Sequence, residues 1–364
     1  MKKILKIILI IVCILLAVLL LGSTMAGWFK PSHLMVTSLL SYAYLYLLIS
    51  NVVLIIVCML VKSKWFLLPL GAILLRFSFL PLFFQVGGSE ALSDDEQARI
   101  APLKVMTFNA HHFQGVERNA SLTDTNMLLF IDMVQREEPH LMALQEYIGR
   151  GDTVHLTDRL AQMGYIYQAT GYQNGSMTGT VIFSKIPITE RGTVEGSSRL
   201  FTDLLWNNDT IRLYCLHLES YRLDEQDHET LHKLKHGEVD TNMGLSTLHK
   251  FAATIRRHEQ EWEMLQQHFD ECPYHYIVLG DFNDTPASYL YQQMTQHLTD
   301  SYCEAGQGFS TTYHGSFTTA SRGTFPAFRI DMVFHDDAFK AYTYKRIKSE
   351  ISDHFPVVVT LGDK

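Results

Sequence analysis

The sequence predicts an α/β or α+β enzyme domain carried behind an N-terminal membrane module, and three observations predict it. Residues 1–89 contain seven basic residues and no acidic one, set among long apolar runs. Residues 90–364 hold the other 23 basic residues and all 38 acids, a formal charge of −15. Within that acidic part, short apolar segments of strand type alternate with helical ones, and the polar residues that stand out sit at or near strand ends. With 364 residues, 47% of them hydrophobic, the chain has ample material for a buried core, and neither disorder nor a collagen-like fibre fits. The five cysteines lack CxxC or metal-ligand spacing, so free thiols are expected, with a Cys272–Cys303 pair left open in an oxidising compartment.

The first element is Ile7–Leu21, an unbroken apolar run behind Lys2, Lys3 and Lys6. Leu34–Val61 is longer and is softened only by Ser, Thr, Tyr and Asn51, while Phe66–Val86 carries Arg76, Pro69 and Pro81. Each run reaches or approaches the ~20 residues that cross a bilayer. Residues 1–88 therefore read as a module of about three transmembrane helices. The Lys2/Lys3/Lys6 end and the Lys62/Lys64 loop belong in the cytoplasm by the positive-inside rule. Three crossings then deliver the following domain to the extracytoplasmic, periplasmic side of a cell membrane. A signal-peptide reading of the first run, cleaved near Thr24-Met25-Ala26, leads to the same side. Arg76 within the third run costs about a few kcal/mol in lipid and is expected to meet a neighbouring helix or snorkel. A third run lying flat would leave the domain cytoplasmic.

Ser89–Ala101 is polar and acidic and reads as a linker to a domain over 102–364. Strands are expected at Lys104–Asn109, His140–Gln145, Tyr165–Ala169, Thr180–Ser184, Tyr276–Leu279, Arg329–Phe334 and Val357–Leu361. Leu204–Leu218, broken at Asn207-Asn208-Asp209, reads as a hairpin. Helices are expected at Asn126–Arg136, stopped before Pro139, at Val154–Met163, closed by Gly164, and at Leu248–Phe269.

The strand-end residues are Asn109, Glu146, His217, Asp281, Asn283, Asp331, Asp353 and His354. Loops held at the ends of a rigid sheet commonly display catalytic groups. Four acids with two Asn, two His and no thiolate form an oxygen-rich set that suits Mg²⁺, Mn²⁺ or Ca²⁺ better than Zn²⁺. Such a metal neutralises a phosphate while a spare carboxylate orients the attacking water. A histidine beside an acid, as in Ser352-Asp353-His354, stabilises charge developing on phosphorus or donates a proton.

These residues lie in stretches that together resemble the endonuclease/exonuclease/phosphatase (DNase I-like) superfamily. The stretches are Lys104–Ala110 (KVMTFNA), Leu144–Tyr147 (LQEY), Gly179–Pro187 (GTVIFSKIP), Leu216–Leu218 (LHL), Gly280–Pro286 (GDFNDTP), Arg329–Phe334 (RIDMVF) and Ser352–Pro356 (SDHFP). The resemblance implies a four-layered sandwich, two mixed β-sheets face to face with helices outside. It implies Glu146 as main metal ligand, with Asn109 and Asp353 near the metal or phosphate. It further implies that Asp281 orients or deprotonates water and Asn283 holds the phosphate. His354 would contact the phosphate, its tautomer set by Asp331, and His217 would be a second phosphate-facing histidine. The implied reaction is metal-assisted hydrolysis of a P–O bond by in-line water attack.

Other features carry weaker signals. His228, His232 and His236 fall at helical spacing in a charge-dense stretch that reads as a solvated insertion, with a second metal site as the alternative. His111 and His112 reach substrate or cap a turn, and Ser310–Tyr313 and Phe325–Phe328 are aromatic loops near the rim. The acidic domain has no basic run, which disfavours a long nucleic acid as substrate without eliminating it. The expected partners are a phosphate ester, lipid-borne or small, and the bilayer itself. A nuclease is the second reading and an inactive binding module the third.

Overall fold

The computed structural model describes residues 2–88, 93, 100–116, 119–148, 154–172, 178–194, 199–221, 241–314 and 328–364. The chain divides into two compact units. One joins Met1–Phe83 with Tyr221–Gln260 and Asp284–Gln296, and the other joins Phe84–Ser220 with Glu261–Asn283 and His297–Lys364.

The first apolar run forms helix α1 (Lys2–Ser23), long and apolar enough to cross a bilayer. Its Ile4, Ile8, Ile11, Leu15 and Val18 side chains face outward. The second run splits into α2 (Met35–Ser41) and α3 (Tyr44–Leu60), bent by 70°. The third run departs from expectation. Helix α4 (Leu67–Leu75) stops at Arg76 and a 3₁₀ segment, Phe77–Leu82, follows with Pro81 inside it. Nine residues of helix rise only about 13 Å, less than half the hydrocarbon core. Pro81 lacks the N–H that would continue an α-helix. Arg76 turns back to Thr24, its Nε donating to Oγ1 at 2.7 Å and Nη2 to the carbonyl at 2.6 Å, with its guanidinium over Trp28 and Phe79. Three full spans are thus corrected to one helix long and apolar enough to cross a membrane, with the bent pair as a second candidate, among the described residues.

From Phe84 the chain runs β1 (Phe84–Gln85), β2 (Leu103–Asn109), α5 (Thr123–Glu137), β3 (Leu141–Ile148), α6 (Leu156–Gln162), β4 (Tyr167–Tyr172), β5 (Thr178–Ser184) and β6 (Ile188–Thr193). It continues through β7 (Leu200–Trp206), β8 (Asp209–His217), α7 (Thr241–Asp270), β9 (His275–Asp281), α8 (Tyr289–Met294), β10 (Thr299–Asp300) and α9 (Ser301–Ala305). The last elements are β11 (Gly308–Phe309), β12 (Asp331–His335), β13 (Phe339–Arg346) and β14 (Val357–Asp363). Two six-stranded mixed sheets result, ordered β13-β14-β2-β3-β5-β4 and β10-β12-β9-β8-β7-β6. The β2–β3 and β8–β9 pairs are parallel. Each needs a long crossover, which α5 and α7 supply.

Period-two burial separates the layers. Leu103 and Val105 of β2 join Leu213, Cys215, Leu279 and Val333 of the other sheet in the central core. Met106 and Phe108 face the opposite way, onto Phe130, Val134, Leu156 and Leu160 of α5 and α6. On the second sheet's outer face, Tyr214 and Tyr276 pack against Phe269 of α7. This is the expected four-layered sandwich of two mixed sheets flanked by helices.

Local chemistry explains the boundaries. Asn207 and Asn208 both take positive φ, 51° and 68°, which a two-residue hairpin between β7 and β8 demands. Helix α5 ends at Glu138 in the left-handed region, directly before Pro139. Strands β6 and β13 were not expected. Both mix charged residues into the apolar alternation and carry register shifts, which blur a period-two signal. Strand β4 extends three residues beyond the expected Tyr165–Ala169, and no disulfide forms among the five cysteines.

One glycine carries the geometry that leads into the candidate site. Gly280 sits at φ +147°, and a Cβ there would lie 2.0 Å from the Leu216 carbonyl oxygen on the neighbouring strand. Gly280→Ala is expected to lower stability by about 3 kcal/mol or more, read as a fall in the urea midpoint of unfolding.

Candidate active site

Strand register assembles most of the site. In the second sheet, His217 of β8 lies opposite Asp281 of β9, which lies opposite Asp331 of β12, so three residues distant in sequence form one row. In the first sheet, Asn109 ends β2 opposite Gln145, next to Glu146. Glu146 takes φ +48° where the β3–β5 register shifts between Leu144 and Tyr147. A bulge of this kind re-aims a side chain, and a positive φ on a non-glycine residue is strain commonly stored at functional sites. Asn283 adopts φ +50°, just past β9.

Hydrogen bonds then join the two sheets. The Asn109 amide Nδ2 donates to Asp281 Oδ2 at 2.9 Å and to Glu146 Oε1 at 3.3 Å. Asp331 Oδ2 meets His354 Nδ1 at 2.8 Å, while the other imidazole nitrogen, Nε2, is 3.8 Å from Asp281 Oδ2. His217 Nε2 stands 3.8 Å from both Glu146 Oε1 and Asp281 Oδ2. These 3.8 Å separations are too long for hydrogen bonds, so both Nε2 atoms keep their capacity for a ligand. The Asn283 backbone N–H donates to Asp281 Oδ1 at 2.9 Å, and its side-chain amide donates to the Leu218 carbonyl at 3.0 Å. Ser352 Oγ donates to the Asn109 carbonyl at 2.7 Å and accepts from the His354 N–H at 3.1 Å, which ties the SDH turn to β2.

Electrostatics follow from burial and proximity. Burial disfavours charge on Glu146, but His217, His111, His354 and the Asn109 hydrogen bond outweigh it and hold this carboxyl below its usual range. Burial pushes Asp281 up, and the charge of Asp331 adds to that push against the opposing His354 and His217. Burial disfavours the His354 cation, yet Asp331, Asp281 and Asp353 together raise its pKa well above the ordinary histidine value.

Two groupings compete as the place for a cation. Asp281, Asp331 and His354 bring ligand atoms within 4.8 Å of one another, all buried. Within that trio the Asp331–His354 hydrogen bond and the raised pKa of His354 also suit the holding of a proton. Glu146 is ionised and 23% open to solvent. Among the described residues no Lys or Arg pairs with Glu146, Asp281, Asp331 or Asp353, and Asp331 Oδ1 is buried without a hydrogen bond. Oxygen donors in excess of cationic partners, with no thiolate, fit a hard divalent ion at this rim.

All eight residues singled out from the sequence come to this rim. Asp353 enters through His111, whose Nδ1 is 3.1 Å from Asp353 Oδ1 and whose N–H donates to Asn109 Oδ1 at 3.0 Å. His112 Nε2 lies 3.8 Å from Glu146 Oε2, so the His111–His112 pair belongs to the site surroundings as well as to a turn. Sequence reasoning missed Thr312, whose Oγ1 accepts the Ile330 and Asp331 N–H groups at 3.0 Å each. Tyr313, in a loop noted only as aromatic, packs its ring edge-on to His354 at 5.0 Å. The His228/His232/His236 stretch and Phe325 to Ala327 lie outside the described residues.

Comparison with known proteins agrees with this geometry. The model of the "Endonuclease/Exonuclease/phosphatase family" matches residues 106–354, and a model described as a domain of unknown function matches residues 5–83. No curated protein sequence matches the chain. Similar solved structures include an endonuclease/exonuclease/phosphatase from Bacteroides vulgatus, 14% identical with a TM-score of 0.52, covering 72% of this chain and 99% of that one. Another is the endonuclease/exonuclease/phosphatase of Beutenbergia cavernae, 19% identical with a TM-score of 0.50, covering 72% of each chain. A family protein from Bacteroides thetaiotaomicron is 16% identical, with a TM-score of 0.50 and coverage of 72% and 98%. At these identities the likeness is one of fold, and the family model, spanning over half the chain, supplies the membership. With its sheets, its strand-end residues and that match in agreement, the chain belongs to the endonuclease/exonuclease/phosphatase family.

Proposed function

We propose that this chain is a membrane-anchored, metal-dependent phosphoesterase that hydrolyses a lipid-borne or small phosphate ester by in-line attack of water. The observation that carries the reading is the hydrogen-bonded chain Glu146–Asn109–Asp281 beside the Asp331–His354 pair, drawn from the strand ends of both sheets. Glu146 would hold the divalent ion, Mg²⁺ by donor chemistry and Mn²⁺ or Ca²⁺ otherwise, with Asn109 and Asp353 close to it or to the phosphate. When bound, such an ion supplies charge neutralisation for the phosphate oxygens.

The chain's own residues supply the rest. Asp281 Oδ2 would orient the attacking water and accept its proton. His354 Nε2, free of hydrogen bonds to Asp281, would carry a proton toward the phosphate, its tautomer set by Asp331 at Nδ1. His217 Nε2 would face the phosphate as a second donor, and Asn283 would complete the cradle. The N-terminal apolar helix would serve as anchor, with a signal sequence as the other role its length allows. A formal charge of −15 over residues 90–364 favours a small or lipid-borne phosphate over a long polyanion.

The test uses the full chain in detergent micelles beside Glu146→Ala, with Mg²⁺, on plasmid DNA, phospholipids and small phosphoesters. Turnover of a lipid or small ester that vanishes in the variant is the expected result. Cleavage of DNA alone would replace this reading by that of a nuclease. Folded protein inactive on the whole panel would favour a binding module.

A further inference from the structure

The first compact unit combines the N-terminal helical segment with a stretch of α7 and the residues immediately after Asn283. Two of its buried carboxylates are bound by groups of the N-terminal segment. Asp284 is 3% exposed and has no cationic Lys or Arg partner among the described residues. Its carboxylate is satisfied from three places. Tyr42 donates its hydroxyl to Oδ1, the Thr285 N–H donates to Oδ1 at 2.9 Å, and His258 Nδ1 lies 3.1 Å from Oδ2. Tyr42 also touches the Tyr221 hydroxyl, and its ring sits edge-on to Tyr221 and Phe251.

A second, independent contact joins the same partners. Ser32 donates its N–H and its hydroxyl to the two oxygens of buried Glu259, at 2.7 and 2.6 Å. At a third point Gln293 Nε2 donates to the Gly27 carbonyl at 2.8 Å, and a Cβ at residue 27 would fall 2.4 Å from Gln292 Oε1. Two buried carboxylates each take hydrogen bonds from this segment, Glu259 from Ser32 and Asp284 from Tyr42, and losing such a donor leaves a buried charge less well satisfied. A passive tether requires none of these contacts.

Asp284 follows Asn283 directly, and the Asn283 N–H is bound to Asp281. Consecutive Cα atoms are held about 3.8 Å apart, so fixing the Asp284 carboxylate restrains the strained, positive-φ turn that carries Asn283. We propose that the N-terminal module is a positioning element of the hydrolase, with Tyr42 acting through Asp284 on Asn283 and Asp281. This rests on the phosphoesterase reading above. The helical segment then does more than localise the enzyme: it sets the geometry of the turn that handles the phosphate.

The test compares full-length wild type with Tyr42→Phe, which deletes one hydroxyl, and with Asp284→Asn, in micelles with Mg²⁺ and bis(p-nitrophenyl) phosphate. Tyr42→Phe is expected to lower kcat about ten- to a hundredfold, as a misplaced catalytic group does, with KM within about twofold and the melting temperature nearly unchanged. Amide hydrogen exchange at residues 282–285 is expected to speed up about tenfold in the same variant. Wild-type kcat in an active Tyr42→Phe would overturn the proposal, as would a lost melting temperature with normal kcat per folded molecule. If wild type itself hydrolyses no phosphoester, the phosphoesterase reading fails, and the exchange measurement decides this proposal alone. Unchanged exchange at residues 282–285 would then overturn it.

Discussion

Glu146→Gln is expected to abolish Mg²⁺-dependent hydrolysis, by about a thousandfold or more, while leaving the fold intact. The substitution keeps the shape of the side chain and its acceptor oxygen toward Asn109, and it removes only the charge. That charge is what a divalent ion would take from this residue, and such ions contribute several kcal/mol to phosphoryl transition states, each 1.4 kcal/mol being tenfold in rate. The carboxylate sits on a strained bulge, partly open to solvent, with histidines rather than Lys or Arg around it. A steady-state assay across a Mg²⁺ titration checks the expectation. Retained activity at saturating Mg²⁺ would move the metal elsewhere, and the Asp281/Asp331/His354 trio would be next in line.

The second large effect is expected at His354. His354→Ala should lower kcat about a hundredfold to ten-thousandfold, the range for losing a general acid–base group. Asp331→Asn should lower it about a hundredfold or more, since the imidazole then loses the 2.8 Å partner that sets its tautomer. The pair acts as a unit, so the double variant should be far less impaired than the product of the two losses. Multiplying losses would show that the two residues act separately. His354→Ala also leaves Asp331 and Asp281 buried with one less partner, so a lower melting temperature is expected alongside the rate loss.

Much of this site could be read from the chain because strand ends are punctuated by polar residues that a core strand cannot use. Asn109, His217, Asp281 and Asp331 each begin or end an apolar segment, and the sheet register brings the last three into one row. The bulge at Glu146 left no trace in a period-two pattern, because one extra residue in a buried strand of LMALQEYI looks like any other apolar run. Thr312 was likewise silent. A threonine that accepts two backbone N–H groups has no sequence signature apart from its final place. The third apolar run misled for a related reason. Composition reports how much apolar surface is available, and it does not report that Arg76 will turn to Thr24 and end the helix there.

The charge division, the long apolar N-terminal helix, the sandwich architecture and the identity of the eight strand-end residues were all legible in the chain. These depend on local composition, on periodicity and on motif order, all of which survive without knowledge of contacts. The tertiary contacts settled which of those residues share hydrogen bonds and that Asp331 is the partner of His354 Nδ1. They alone joined Tyr42 to Asp284, across more than half the chain. The physical reason is that a buried carboxylate takes its pKa and its position from whichever donors the fold packs around it, and those donors come from anywhere along the chain.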